Sequence, residues 1–289
     1  MEHHENPYDI KKTDPCFYNL PPASYRLQVG LTAKAIQYTV FDPEKRKFIA
    51  YGVKTLPDAS NKEMYFDGIK SFVLTNDLVG LPYSDVQVVY ETQQATLVPE
   101  ALFDEAEAAT FLNFNQQMLP DDVILTDRLK NSETANVFAV PAGLQAAIGL
   151  PRFALHHHAS VFIEALHLLY KNAIIPQRVF IQVHATFFDM MVIENRRLVF
   201  YNSFAYKTAE DFLYFVMLVY EQLKMSAEQT GVTLMGEVLK NSALFAMLFK
   251  YIREVEFLSG DDLLQSSHIL NDVVPHLYFS LFNTVLCEL

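Results

Sequence analysis

Three consecutive histidines, His156-His157-His158, form the densest group of metal-capable side chains in the sequence. Imidazole is a common zinc ligand, but a zinc site needs further donors at suitable spacing. Successive residues of a strand point to opposite faces, and neither a cysteine nor a second histidine pair stands nearby. His167 follows in a run with helical character, and at about 100° per residue it falls on the face opposite His158. Glu164 is closer but finds no further ligand to join it. No metal is assigned. The cluster Asp104-Glu105-Glu107 has the composition of paired carboxylates for acid/base work, yet negative charge early in a helix is favoured by the helix dipole alone. Ser203 and Ser242 lack a G-x-S-x-G elbow. No Walker-type loop and no G-x-G-x-x-G occurs. Cys16 and Cys287 stand far apart with no partner motif. No catalytic residue is assigned, and Asp189 is the one weak candidate, for a reason that lies in the elements around it.

From Tyr25 onward, large apolar residues alternate with smaller or polar ones through YRLQVGLTAKAIQYTVFDPEKRKFIAYGVKTL, with turn chemistry at Asp42-Pro43. This pattern predicts a three-stranded meander. A helix is expected over about 61–75, placing Met64, Ile69, Phe72 and Val73 on one face, and then a strand over Val86–Glu91. A helix starting after Pro99 follows, then two short strands, Val123–Asp127 and Asn136–Val140, and a short helix, Pro141–Ile148. An apolar helix beginning near His158 reads as a connector that ends before Pro176. RVFIQVHATFFDMMVIENRRLVFYNSFAY then reads as a second meander. Helix (about 208–225), strand (232–235) and helix (about 241–251) come next, so the order repeats. The helix containing Phe212–Tyr220 is apolar nearly all round, which predicts burial between two sheets. The terminal run with Leu277, Leu281 and Val285 at helical spacing predicts a core helix rather than an exposed docking element.

The repeat extends to residues. Gln28-Val29-Gly30-Leu31-Thr32 parallels Gln182-Val183-His184-Ala185-Thr186 near the first turn of each meander, and Arg46-Lys47-Phe48-Ile49 parallels Arg196-Arg197-Leu198-Val199 on the return strands. Such a match at the same point of two similar element orders indicates a duplication. Mixed sheets covered by helices bury such units best. The expected organisation is a loose arm over 1–22, a first lobe over 23–157, and a connector helix with a second lobe over 158–289.

On these residues and this order, the chain resembles the actin, sugar kinase and Hsp70 superfamily. Within it, the chain is similar to the actin-like components of type IV pilus assembly and type II secretion, and to an uncharacterised bacterial family with a degenerate version of that fold. The resemblance implies an α/β fold, two ribonuclease H-like lobes meeting at a nucleotide cleft. Active members carry an Asp, an apolar residue and a Gly at the first turn of each half, where the carboxylate holds magnesium and the turn amides bind phosphate. Here the first turn reads Gln28-Val29-Gly30 and the second Gln182-Val183-His184. Glutamine brings no charge to a magnesium site, and the His184 ring would fill space that phosphate needs. After the later strand, where active relatives have paired glycines beneath the adenosine, this chain has Gly236-Glu237. The degenerate cleft set is therefore Gln28, Gly30, Thr32, Gln182, His184, Thr186, Gly236 and Glu237, with Asp189 a remnant of the second loop's acids.

Composition narrows the function classes. The chain has 289 residues, 51% of them apolar and 19% charged, with a net charge of −12. Such a field repels phosphate backbones and argues against nucleic acid as a general partner. There is no run long and apolar enough for a transmembrane helix and no secretory pattern at the start, and the two cysteines suit a reducing compartment. The expectation is a cytoplasmic protein. The leading expectation for function is a non-enzymatic protein-binding or scaffold protein, with no cofactor. Its partners, by the resemblance, would be proteins, an assembly at the membrane among them. The alternative is a divergent nucleotide-binding phosphohydrolase or phosphotransferase that would use ATP and magnesium with Asp189. A small-ligand sensor is the third.

Overall fold

The alternation that begins at Tyr25 becomes three hydrogen-bonded strands in the computed structural model, which describes residues 9–58, 60–116, 118–173, 176–258 and 264–289. The chain forms two compact units. The first is built on 9–161 with 264–273 and 280–289, the second on 162–258 with 274–279.

In the first unit, β1 (Ile10–Thr13) precedes the meander β2 (Arg26–Leu31), β3 (Ala35–Asp42) and β4 (Lys47–Thr55). Helix α1 (Lys62–Thr75) then crosses over to β5 (Asp85–Tyr90), which lies parallel to β2, as a parallel partner requires. Asn61 starts α1 by accepting the Met64 amide. A small sheet follows from β6 (Ala95–Pro99), α2 (Ala108–Asn115), β7 (Val123–Leu129) and β8 (Thr134–Val140), with strand order β6-β8-β7. Then come α3 (Leu144–Ile148), β9 (Ala154–His157), parallel to β5, and α4 (His158–Leu169), which carries the chain out of the unit. The second unit repeats the plan: meander β10 (Gln177–Val183), β11 (Phe187–Glu194) and β12 (Arg197–Ala205), helix α5 (Ala209–Gln222), β13 (Val232–Gly236) parallel to β10, α6 (Ala243–Tyr251), and β14 (Val255–Phe257). The chain ends with β15 (Gln265–Ser266) and α7 (Phe279–Asn283).

The sheets run β4-β3-β2-β5-β9 and β12-β11-β10-β13-β14, the same order in both units. Each meander is antiparallel, and each adds two parallel strands on the far side of its first strand. Alternate residues define the faces. Leu27, Val29 and Leu31 pack with Tyr65, Ile69 and Phe72 of α1. Val179, Ile181 and Val183 pack with Phe212, Val216 and Val219 of α5.

Several expectations are corrected. Residues 1–8 of the expected loose arm lie outside the described residues, but Ile10–Thr13 pairs with β4 and Phe17 is buried, because the arm supplies backbone partners to an otherwise open edge. The helix expected after Pro99 is two 3-10 turns followed by the shorter α2, and the preceding Thr96-Leu97-Val98, given no element from sequence, pairs with β8 as β6. On α1 the buried set is Tyr65, Ile69 and Phe72, while Met64 is exposed. Helix α5 covers one face of one sheet, with Tyr214 62% exposed. The terminal helix is broken into short pieces, and residues 264–273 and 280–289 return to the first unit. There β15 adds to β4, and Phe282 meets Phe48 edge-to-face and stacks on Tyr51.

The repeat itself is real, but its register differs from the one the sequence suggests. In the first unit Leu31 pairs with Ile36 across the first turn, and in the second Val183 pairs with Phe188. Both turns close with the same bond, Thr32 N–H to Ala35 carbonyl at 3.0 Å and His184 N–H to Phe187 carbonyl at 2.9 Å. A bulge follows at Val40/Phe41 and at Val192/Ile193. Gly30-Leu31-Thr32 therefore corresponds to Gln182-Val183-His184, and Gln28 corresponds to Phe180. The return strands do correspond as read, with Lys47-Phe48 matching Arg197-Leu198.

Candidate functional site

In the second unit, the cleft candidates gather at one end of the sheet. The β10–β11 turn presents His184, whose ring stacks on Phe187 with centroids 4.3 Å apart. His184 Nε2 lies 2.9 Å from Asp189 Oδ2, and the Tyr201 hydroxyl donates to Asp189 Oδ1 at 2.9 Å. Asp189 has no exposed surface and His184 is buried. Tyr201 reaches the carboxylate because Asp189 pairs with Ser203, putting Tyr201 diagonally across on the same face. Burial, reinforced by the Asp189 charge, pushes the Tyr201 phenol well above its ordinary value, so it stays a neutral donor. Gln182, also buried, pairs with Asp189 on one side and Met235 on the other.

Gly236 ends β13 against the same turn, paired with Val183 and with φ +82°. A Cβ there would stand 2.7 Å from the Val183 nitrogen and closer still to its carbonyl oxygen. Only glycine satisfies both the backbone angle and the space. Glu237 follows and donates its N–H to the Val183 carbonyl at 2.7 Å. The Tyr206 hydroxyl donates to the His184 carbonyl at 2.8 Å. Burial raises the Tyr206 phenol, with Glu237 adding to it. Thr186 accepts the Tyr206 amide through its carbonyl, fixing the far side of the turn.

Residues 17–255 match the protein family described as a protein of unknown function, DUF3822. The chain belongs to this family. No curated protein matches the sequence. A crystal structure from Bacteroides thetaiotaomicron VPI-5482, of a protein with an actin-like ATPase fold and unknown function, superposes with a TM-score of 0.78 at 18% identity, covering 92% of this chain and 97% of that one. The PilM-PilN type IV pilus biogenesis complex contributes a chain at TM-score 0.58 and 12% identity, with the same coverage of 92% and 97%. This DUF3822 chain thus has the actin-like ATPase fold, in agreement with the resemblance read from its sequence.

In the first unit of this DUF3822 chain the corresponding turn is held differently. Thr32 accepts the Ala35 and Lys34 amides through its hydroxyl, at 3.1 and 3.3 Å, and its carbonyl accepts the Tyr65 hydroxyl at 2.7 Å. Tyr65 thus does for Thr32 what Tyr206 does for His184. Gln28 lies deeper in β2 with no exposed surface, and its Oε1 accepts the Thr39 hydroxyl at 2.9 Å. Its Nε2 has no partner among the described residues, nor has the Oε1 of Gln87 on the adjacent strand. Gly30 is extended mid-strand, and a Cβ there would make an ordinary 3.5 Å contact with Leu281. Its glycine is not demanded by its surroundings.

The other polar groups singled out in the sequence have local partners. His156 Nδ1 lies 2.8 Å from Asp127 Oδ1, the His157 amide donates to Asp127 Oδ2 at 2.9 Å, and His157 Nε2 lies 2.8 Å from the Thr92 carbonyl. His167 Nδ1 lies 2.8 Å from the Ile163 carbonyl on its own helix. Asp104 accepts the Ala106 amide, Glu105 pairs with Arg128, and Glu107 accepts the Thr110 hydroxyl. Ser242 caps α6. Burial raises the Cys16 thiol, which makes it a weaker nucleophile. The tyrosines that organise both turns, Tyr65, Tyr201 and Tyr206, were missed from sequence. Each lies many residues from its partner, and only strand register or a crossover helix brings it there.

Proposed function

We propose that this protein is a non-enzymatic protein-binding or scaffold member of the actin-like ATPase fold, one that does not hydrolyse ATP. The observation that carries the reading is the state of Asp189. This acid, on the strand that leaves the second turn, is fully buried, with His184 on one oxygen and Tyr201 on the other. Magnesium sites draw on several anionic oxygens and keep waters around the metal, whereas Asp189 is a single carboxylate with no exposed surface and a hydrogen bond already on each oxygen. The imidazole of His184, packed on Phe187, occupies the turn. Glu237 adds negative charge beside Gly236, where polyphosphate would be repelled. These residues fit magnesium and a nucleotide poorly, and no step is derived through either.

Protein partners are the complementary part of the proposal. The fold neighbour in the PilM-PilN complex is itself part of a protein assembly, which supports that class of ligand for this chain. An assembly at a membrane is compatible with cytoplasmic residence of the chain itself. Among the described residues, no helix is long and apolar enough to cross a membrane. Isothermal calorimetry with ATP and magnesium tests the proposal. No heat of binding and no phosphate release are expected, and micromolar binding with turnover would overturn it.

A further inference from the structure

We propose that the groove between the outer edge of β6 and helix α2 is a docking site for an extended apolar segment of another protein, carrying a basic residue at its flank and adding as a strand beside β6. This rests on the reading that the protein works by binding partners, and it names the surface and the chemistry of the partner.

The groove is open to solvent, offers about 400 Å³, and is lined by Leu97, Leu102, Phe111 and Phe114 among others. Phe114 is 89% exposed and Leu102 70% exposed, an unusual outlay of large apolar surface in one place. Its floor shows which occupant fits. Strand β6 is the outer strand of its sheet and pairs only with β8 among the described residues. The bonds from the Ala139 amide to the Gln94 carbonyl and from the Glu100 amide to the Glu133 carbonyl set the alternation of the ladder. Thr96 and Val98 direct their backbone groups toward β8, so Leu97 directs its N–H and C=O outward into the groove edge. An extended peptide satisfies both groups and fills the space between Leu102 and Phe114 with alternate side chains. A helix laid in the same groove leaves them unpaired. Pro99 lacks an N–H and limits pairing to the first part of the strand.

Charge selects the flank. Glu100, Asp104, Glu105 and Glu107 lie along the segment joining β6 to α2, and Arg128 is already bound to Glu100 and Glu105. The remaining carboxylates, Asp104 and Glu107, favour a Lys or Arg on the incoming segment. A second copy of this chain, with its net charge of −12, brings like charge to the same rim.

The test uses a displayed library of short random peptides selected on the full chain, followed by fluorescence anisotropy with the enriched peptide made synthetically. The expected consensus alternates apolar residues and ends in Lys or Arg. Phe114→Ala, at an exposed position that leaves the core intact, should weaken binding about tenfold or more, and hydrogen exchange at the Leu97 amide should slow in the complex. An acidic consensus, binding indifferent to Phe114→Ala, or an unprotected Leu97 amide would overturn the proposal. So would sedimentation showing self-association that Phe114→Glu abolishes, which would assign the edge to a second copy. ATP turnover alongside intact peptide docking would defeat the non-enzymatic reading and leave the groove standing.

Discussion

Asp189→Ala separates a structural acid from a catalytic one. In the folded chain the buried Asp189 carboxylate receives the buried His184 Nε2 and the partly buried Tyr201 hydroxyl, both at 2.9 Å. Removing it strands two polar groups out of water, and each such loss costs about 1–3 kcal/mol. Their sum is about 4 kcal/mol before any relaxation, enough to move the urea midpoint by roughly 1–2 M. Asp189→Asn keeps the volume and can still accept from one donor, so it should cost about half as much. The chain has no tryptophan and 15 tyrosines, so unfolding is followed by circular dichroism with tyrosine fluorescence beside it. A catalytic acid held at the expense of stability behaves the other way, with variants as stable as the parent or more so and an activity lost. Asp189→Ala costing less than about 1 kcal/mol, or stabilising the fold, would refute the reasoning.

Three further outcomes follow from the same geometry. Gly236→Ala should destabilise by more than about 3 kcal/mol, since it adds left-handed backbone strain to a clash with Val183; a glycine kept only for a ligand would tolerate the change in urea unfolding. Thr39→Val with Gln28→Leu should be near neutral, while Gln28→Leu alone costs about 1–2 kcal/mol by leaving the Thr39 hydroxyl buried without its acceptor, as a double-mutant cycle will report. Asp14 accepts bonds from the Ser267 hydroxyl and the Cys16 amide, which lower its pKa from 3.8 to about 2. Its stabilisation is present above about pH 4 and is lost as pH falls through about 2. At neutral pH Asp14→Asn should therefore remove about 2 kcal/mol, at about 1.4 kcal/mol for each tenfold change in acid dissociation, and flatten the pH dependence of unfolding in that window.

The elements that were legible in the sequence are those whose signals are local. Alternation gave both meanders. Thr208 and Asp211 form a capping box that starts α5. The elements that were missed depend on partners distant in sequence. Strands β9 and β14 have four and three residues and exist because β5 and β13 offer parallel edges. Strand β15 has two residues, and nothing in Gln265-Ser266 announces that it joins β4. The site was legible only as a set of turns. His184 and Asp189 could be named, but the bond between them needs the hairpin register, and Tyr201 needs the next strand as well.

The two-residue slip in the repeat has a physical cause and a consequence for function. Side chains of a strand alternate with a period of two, so a shift of two residues keeps every apolar residue on its own face. The hydrophobic pattern therefore cannot distinguish Gln28 opposite Gln182 from Gly30 opposite Gln182. Backbone geometry can, because the closing bond of the turn and the bulge beyond it occur at fixed distances from the strand end in both units. In the corrected register, the positions at the two turns are Thr32 and His184. Neither is glycine, and each has its carbonyl tied to a tyrosine hydroxyl, from Tyr65 and Tyr206. The surviving Gly30 then marks no turn, and its presence gives no support to phosphate binding there. The case against ATP chemistry is thereby stronger in the first unit than the sequence motif implied, since the turn lacks both the acid and the glycine, as it does in the second.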